Sequence, residues 1–184
     1  MEELALHLLD LLENALAAGA RHILITIEED AERDRLTVTV QDDGRGMGAE
    51  ALPKALDPFY TTRTTRKVGL GLSLFQATAV QCGGTLSLES CPGQGTRVVA
   101  TMKLSHPDLP PLGDMGATIA TALSREEPVE IVYRHRRGMR EFQFSSAWLQ
   151  LHLGEIPLNC GPVLDWVQRY INKGLAELYG GDAK

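Results

Sequence analysis

Hydrophobic residues recur every three or four positions at the start of the chain, and the next two segments alternate apolar and polar residues instead. The first pattern predicts a helix over residues 4–16 that ends at Gly19, a residue suited to a C-terminal cap. The alternation predicts two half-buried strands, 22–28 and 36–41, joined as a hairpin by a charged turn. Asp42 therefore falls at the end of a strand, where a sheet can present a side chain to a pocket.

The same two patterns continue along the rest of the chain. They predict a short helix near 49–56, a mobile polar loop at 61–67, a helix at 69–81, strands at 85–89 and 96–104, a helix near 115–123, a hairpin at 129–144 and a final helix at 163–178. Three prolines interrupt both patterns between residues 105 and 113. We therefore expect an α+β protein with one domain over 1–104 and a small α+β extension over 105–184.

The extension carries an apolar stripe on its last helix, which either packs on the first domain or forms a homodimer. Its large aromatic residues are either core residues or partner contacts, and the core is the expectation for Trp148, Trp166 and Tyr170. Histidines 7 and 22 are expected to pack or to face solvent, and the sequence identifies no partner for those at 135 and 152.

Composition narrows the class of protein. With 184 residues, 43% hydrophobic composition and a net charge of −6, the chain is typical of a globular protein and lacks the basic face that non-specific nucleic-acid binding usually needs. No apolar run approaches the ~20 residues of a membrane span, and no secretory signal opens the chain. Cys82, Cys91 and Cys160 are too widely spaced to indicate a disulfide framework or a zinc site. We expect a cytoplasmic protein that binds neither membranes nor nucleic acid.

Asp10 and Asn14 are four residues apart, so both side chains project from one face of the first helix. The amide oxygen of Asn14 is a hard ligand of the kind that Mg²⁺ prefers. A carboxylate one turn away can orient a water molecule or accept its proton. Two ordinary polar residues on an exposed helix face are the plain alternative.

Asp42 opens the sequence Asp-Asp-Gly-Arg-Gly. Its carboxylate can accept a hydrogen bond from an exocyclic amine such as that of adenine, while Gly44 and Gly46 permit tight turns and the close approach of a flat ring. A simple Asp-Gly turn at the end of a strand would look the same.

Gly69 and Gly71 lead into a helix, whose first amides and dipole attract phosphate oxygens. Arg63, Arg66 and Lys67 precede that helix in a threonine-rich loop. A solvated basic loop and a glycine chosen for packing are the alternatives. Neither the Rossmann fingerprint nor the P-loop signature is present. The pieces together, in this order, indicate bound ATP with magnesium.

These motifs resemble those of the histidine-kinase-like ATPases, a family that groups sensor kinases, gyrase and anti-sigma-factor kinases and has the Bergerat ATP-binding fold, a two-layer α/β sandwich. The resemblance covers residues 1–104. It implies that Asn14 is a magnesium ligand, that Asp10 stands where a general base, normally Glu, is found, and that Asp42 recognises adenine. It also implies nucleotide contacts at Ala18, Gly44, Gly46, Met47, Phe59, Thr61, Thr62, Arg63, Arg66, Lys67, Gly69, Leu70, Gly71, Leu72 and Thr96.

The chain as a whole is similar to small stand-alone ATP-binding proteins of anaerobic bacteria, often encoded near iron hydrogenase or NADH-dehydrogenase-like subunits. It departs from the sensor kinases in starting at the helix of Asn14, where their ATP domains carry earlier strands. We hypothesise that the hairpin at 129–144 supplies the missing sheet edge.

Three functions stay open. The chain transfers phosphate to an unidentified protein partner, or is a slow ATPase that switches conformation, or senses ATP without turnover. Phosphotransfer is slightly favoured. Asp10 is one methylene shorter than Glu, which weakens the case for hydrolysis. His106 lies in a segment that resembles a phosphoacceptor motif, but its neighbouring prolines forbid the helix that presents such a histidine.

Overall fold

The computed structural model describes residues 3–57 and 70–180, with the backbone alone at Leu70. Its elements are α1 (Leu4–Ala17), β1 (His22–Asp30), β2 (Arg35–Asp42), a 3₁₀ helix (Pro53–Leu56), α2 (Leu70–Gln81), β3 (Thr85–Cys91), β4 (Gly95–Met102), α3 (Met115–Leu123), β5 (Glu130–Arg137), β6 (Arg140–Ser145), α4 (Ser146–Leu153) and α5 (Gly161–Leu178). None of these helices is long and apolar enough to cross a bilayer.

The six strands form one sheet in the order β3-β4-β2-β1-β5-β6. All neighbours are antiparallel except β1 and β5, which run parallel with His22 opposite Glu130. The hairpin of β5 and β6 therefore extends the sheet at β1, as the hypothesis of a supplied sheet edge required. The first and last thirds of the chain thus share one sheet, and the division into two domains stays a prediction.

The core lies between this sheet and the helices. Alternate residues of β1 point into it, so Ile23, Ile25 and Ile27 are almost completely buried, and Leu8 of α1 and Phe75 of α2 meet them from the helical layer. Full burial of each such side chain stabilises the fold by about 1.5–3 kcal/mol. The result is a helical layer packed on a sheet, which confirms the predicted α+β sandwich.

The apolar stripe of α5 packs inside the same chain. Val167, Ile171 and Leu175 are buried against α3 and β6, and the helices cross so closely that a Cβ atom at Gly116 would overlap the backbone of Gln168. The stripe is thus covered by elements of the C-terminal segment itself, which is neither of the two arrangements expected from the sequence, and a homodimer stays a prediction.

The expectation that Trp148, Trp166 and Tyr170 belong to the core is wrong, since they are 57%, 41% and 41% exposed. Trp166 and Tyr170 stack on each other at 4.7 Å on the outer side of α5. A large ring can satisfy most of its packing at the edge of a core, and the sequence does not indicate which side of a helix faces inward when both sides carry apolar residues.

Local capping explains where the first helix begins and ends. Its first amides, those of Leu4 and Ala5, donate to the carbonyls of Pro111 and Leu112 at 3.0 and 2.9 Å. At the other end Gly19 has φ +76°, as its predicted cap position required. The segment between β4 and α3 therefore acts as the N-terminal cap that Glu3 does not provide with its side chain.

Two elements differ from the sequence prediction. The helix expected near 49–56 is reduced to the 3₁₀ turn Pro53–Leu56, and α4 was not predicted at all. α4 begins directly at the end of β6, where the Ser145 hydroxyl caps the amide of Trp148. An eight-residue helix fused to a strand leaves little room for either periodicity to be recognised.

Candidate functional site

α1 and the start of α2 bring together two of the predicted motifs. Asp10 is half-buried and Asn14 is exposed on the same side of α1. A Cβ atom at Gly71 would come within 2.7 Å of the Asp10 Cβ and 2.8 Å of its Oδ2. Glycine at this position therefore lets the first turn of α2 lie directly against the carboxylate of Asp10.

The glycine loop that follows β2 packs on the end of α1. Gly44 is buried, and a Cβ atom there would lie 2.9 Å from the Ala18 Cβ and 2.9 Å from Asp42 Oδ1. The amide of Arg45 donates to the carbonyl of Ala18 at 2.9 Å. The small side chain at Ala18 and the missing one at Gly44 are thus what allow the loop to approach the helix.

Asp42 stands half-buried at the end of β2. Its Oδ1 accepts from the amide of Gly44 at 2.8 Å, and the amide of Thr96 donates to the same carboxylate. Burial raises the pKa of Asp42, and these two hydrogen bonds only partly offset that effect. Thr96 lies opposite Asp42 in the pairing of β2 with β4, so the residues predicted to hold the base are neighbours.

Ser90 joins Thr96 to the glycine loop. Its hydroxyl donates to the carbonyl of Gly95 at 2.9 Å, lies 2.9 Å from the hydroxyl of Thr96 and accepts from the amide of Met47 at 2.8 Å. Sequence reasoning missed Ser90. Only the pairing of β3 with β4 places it opposite Thr96, and the sequence predicted the two strands without their pairing.

The same hairpin fixes Gly46. This residue has φ +67°, and a Cβ atom there would overlap the carbonyl group of Cys91. The amide of Gly93 donates to the carbonyl of Arg45 at 2.7 Å. The glycine loop is therefore held between α1 on one side and the β3–β4 turn on the other.

Asp43, also missed, holds the other side of the loop. Its Oδ1 accepts from the amides of Arg21 and His22 at 2.8 and 2.9 Å, and its Oδ2 lies 2.7 Å from His22 Nδ1. Although burial opposes ionisation, hydrogen bonds from His22 and Arg21 lower the pKa of Asp43 to about 2.

Several predicted nucleotide contacts lie outside the described residues, and their roles stay predictions. They are Phe59, Thr61, Thr62, Arg63, Arg66, Lys67 and Gly69, together with the side chain of Leu70. The predicted mobile loop at 61–67 lies there too. Leu72 is described, and its side chain is buried in the core, which leaves only its backbone for a ligand.

Two clefts lie away from these residues. One of about 140 Å³ separates α1 from α3, and one of about 820 Å³ lies near Glu29 and Tyr179 at the far end of β1. Neither is lined by Asp10, Asp42 or Thr96. The candidate site is defined by its chemistry, because a carboxylate acceptor and a glycine-lined helix start suit a nucleotide.

Residues 2–106 match the model of the family described as histidine kinase-, DNA gyrase B-, and HSP90-like ATPases. The chain belongs to this family. The match covers the helix of Asp10, the glycine loop and the strand of Thr96, so the candidate site lies within the ATP-binding, histidine-kinase-like ATPase domain of this family.

Members of the family from three bacteria are similar to the chain. An uncharacterized sensor-like histidine kinase, R01002 of Rhizobium meliloti, is 32% identical over 159 residues, covering 81% of this chain and 28% of that protein. The non-motile and phage-resistance protein of Caulobacter vibrioides is 34% identical over 55% of the chain and 13% of its own length. The sensor histidine kinase ZraS of Klebsiella oxytoca is 39% identical over 48% of the chain and 19% of its own length.

The chain thus spans less than a third of each of these relatives. The family predicted from the motifs is confirmed. The similarity to stand-alone proteins of anaerobic bacteria stays a prediction.

Proposed function

We propose that this histidine-kinase-like ATPase binds ATP with Mg²⁺ and transfers the γ-phosphoryl group to a protein partner. The observation that carries the proposal is the packing of Gly71 on Asp10, which puts a carboxylate beside the N-terminus of α2. Phosphate oxygens are attracted to such a helix start, and phosphoryl transfer depends mainly on positioning and charge neutralisation.

The residues present suit a magnesium ion bound through the nucleotide. Asn14 is exposed on α1, and its amide oxygen and the Asp10 carboxylate are hard donors of the type that Mg²⁺ prefers. In the part of the chain that the structure describes, no three His, Cys, Asp or Glu residues cluster to hold a metal. Mg²⁺ typically combines one or two protein ligands with phosphates and water, so Asn14 would hold it jointly with ATP. The ion would neutralise charge on the phosphates.

Each described residue has a distinct part in this proposal. Asp42 accepts a hydrogen bond from the exocyclic amine of adenine, and Thr96 supports the same edge of the base. Gly44 and Gly46 let the loop pack closely on Ala18 and on the carbonyl of Cys91, which shapes the edge where the ring enters. Asp10 orients the acceptor hydroxyl of the partner and accepts its proton.

An ATP-responsive switch is the alternative, and two observations favour it. Asp10 is one methylene shorter than the usual Glu, which weakens the case for catalysis by its carboxylate. The hairpin of β5 and β6 shares the sheet with the strands of the nucleotide site, so a change at the loop can reach the C-terminal segment directly.

The first experiment is calorimetric titration of the protein with Mg·ATP, followed by an overnight assay of phosphate release and of label transfer from γ-labelled ATP to the proteins of a cell extract. We expect binding that weakens without Mg²⁺ and in Asn14→Ala, and label transfer that is lost in Asp10→Ala. Binding with release but no transfer favours the switch that hydrolyses ATP slowly, and binding with neither favours sensing of ATP without turnover. The absence of binding overturns both functions.

A further inference from the structure

Asp42 and Asp43 are consecutive but act on opposite sides of the strand end. The side chain of Asp42 turns toward Gly44 and Thr96. That of Asp43 turns back to the start of β1, where it accepts from the amides of Arg21 and His22. In the reverse direction the amide of Asp43 donates to the carbonyl of His22 at 3.3 Å. The position of the proposed adenine acceptor is therefore set by its neighbour.

His22 connects this contact to the C-terminal segment. Its Nδ1 lies 2.7 Å from Asp43 Oδ2 and its Nε2 lies 3.3 Å from Glu130 Oε2. Glu130 begins β5, pairs with His22 across the parallel ladder, and its amide donates to the carbonyl of Arg21 at 2.7 Å. One imidazole thus bridges a carboxylate of the glycine loop and a carboxylate of the added hairpin.

The charges around His22 favour its protonated form. Hydrogen bonding to Asp43 raises the pKa of His22, with further attraction from Asp43 and Glu130, while burial and Arg21 act against it. Among the described residues, the charged groups that act on the imidazole are Asp43 in the loop after β2, Glu130 at the start of β5 and Arg21 just before β1. A ring with a carboxylate at each nitrogen can donate to both only as the imidazolium.

We propose that Asp43, His22 and Glu130, named here the clamp, are positioning residues that set nucleotide affinity by fixing Asp42 and Gly44, and that the C-terminal segment regulates the site through Glu130. The inference rests on the proposed binding of ATP. The two backbone hydrogen bonds to Asp43 supply most of the effect. The ion pairs are exposed and supply a smaller, pH-dependent part, because water screens them.

The pH dependence has a definite sign. At low pH the imidazolium is paired with both carboxylates and the loop is held most firmly. As pH rises through the raised pKa of His22 the charge is lost and the clamp loosens. Nucleotide affinity is therefore highest at the acid side of this transition.

The test is calorimetric titration with Mg·ADP at pH 6 and pH 8, comparing each variant with wild type so that the titration of the nucleotide itself cancels. Asp43→Ala is expected to bind about tenfold more weakly at both pH values, because hydrogen bonds to a charged group are lost. Asp43→Asn keeps an oxygen acceptor and is expected within about twofold of wild type at pH 8. His22→Gln is expected to bind about threefold more weakly than wild type at pH 6, with a smaller difference at pH 8.

Glu130→Gln tests the link to the C-terminal segment. It is expected to reduce the factor by which nucleotide affinity at pH 6 exceeds that at pH 8. Glu32→Gln is the matched control, since Glu32 is exposed in the turn at the other end of β1. Circular dichroism checks that each variant is folded, and His22→Gln tests the clamp if Asp43→Ala is not folded.

The clamp is refuted if wild type binds Mg·ADP but Asp43→Ala matches it, or if the ratio of wild type to His22→Gln is the same at both pH values. If Glu130→Gln has the same ratio of nucleotide affinities at pH 6 and pH 8 as wild type, regulation through the C-terminal segment is refuted. If wild type binds no nucleotide, the proposed function fails and the clamp with it.

Discussion

The two ends of β1 carry similar side chains in opposite settings. At its start, His22 pairs with Asp43 where both are exposed to water. At its end, Glu29 Oε1 lies 2.9 Å from Nε2 of His135, which is completely buried. The hydroxyl of Tyr179 also donates to Glu29, and Arg137 Nε lies 3.3 Å from its second oxygen. His135 Nδ1 in turn meets the hydroxyl of Tyr133 at 2.8 Å.

The difference shows what each pairing is suited for. Within the described residues, every buried side-chain nitrogen or oxygen has a hydrogen-bond partner, and around Glu29 those partners are side chains of the chain itself. Although burial opposes ionisation, hydrogen bonds from His135 and Tyr179 lower the pKa of Glu29. That end of β1 joins β1, β5 and the end of α5 for stability. The Asp42 end holds its carboxylates with backbone amides, and its loop packs on the rest of the protein through Gly44 and Gly46.

The largest expected effect is at the Glu29 end. Glu29→Ala removes the shared acceptor of His135 and Tyr179 in a buried setting, so we expect unfolding free energy to fall by about 2–3 kcal/mol. Urea denaturation measures this. In Glu28→Ala the lost partner is Arg136 in an exposed pair, and the expected loss is about 0.5 kcal/mol or less. Equal losses in the two variants would mean that the buried network has no special role.

The next largest effect is expected on nucleotide binding, from a change in the glycine loop that follows Asp42. Gly46→Ala forces a methyl group into the carbonyl of Cys91 at a positive φ, so the loop must move. We expect Mg·ATP to bind at least about tenfold more weakly, a change of about 1.4 kcal/mol in binding free energy. Gly48→Ala is the control, because a Cβ atom there meets nothing within 4 Å. Equal affinities in the two variants would show that the glycine loop does not contact the nucleotide.

A smaller effect is expected on specificity. Asp42→Asn replaces a pure acceptor by a group that can also donate, so the preference for ATP over GTP should fall about fivefold, the size of one ordinary hydrogen bond. Competition between the two nucleotides for a fluorescent analogue measures the ratio. An unchanged preference would contradict the adenine role of Asp42, whatever happens to overall affinity.

The smallest expected effect is on the free energy of unfolding at acid pH, and it depends on Asp43. The pKa of Asp43 is lowered from 3.8 to about 2, so its contribution to stability is complete above pH 3.8 and is lost as pH falls toward 2. Because Asp43 is 46% exposed, we expect no more than about 1 kcal/mol. Urea denaturation at pH 5 and pH 2.5 should therefore show a smaller acid loss in Asp43→Asn than in wild type. Parallel losses would mean that the native contacts of Asp43 do not favour its charged form.

The sequence predicted the features that depend on local periodicity or on ordered motifs. The first helix, the two strands after it and the final helix lie within a few residues of their predicted positions. The predicted proximity of Asp42 and Thr96 was implied only by the family resemblance, and the strand register now accounts for it.

Contacts between residues distant in sequence could not be predicted in this way. His135 and Glu29 are 106 positions apart, and nothing in either local sequence indicates that β1 and β5 will run side by side. Ser90 and Asp43 act through backbone groups of neighbouring strands, so their roles follow from pairing and not from residue type. The exposed position of Trp166 depends on which side of α5 meets α3.

The parallel pairing of β1 with β5 has a consequence for how the polypeptide is made and handled. A ribosome would release β1 and β2 roughly a hundred residues before the strand that covers the outer edge of β1. Until then a nine-residue edge rich in isoleucine, with unpaired amides, is open to any other extended chain, a configuration prone to aggregation. Ending the polypeptide at residue 104 would make that exposure permanent, so the ATPase segment in isolation should be harder to keep monomeric than the whole chain.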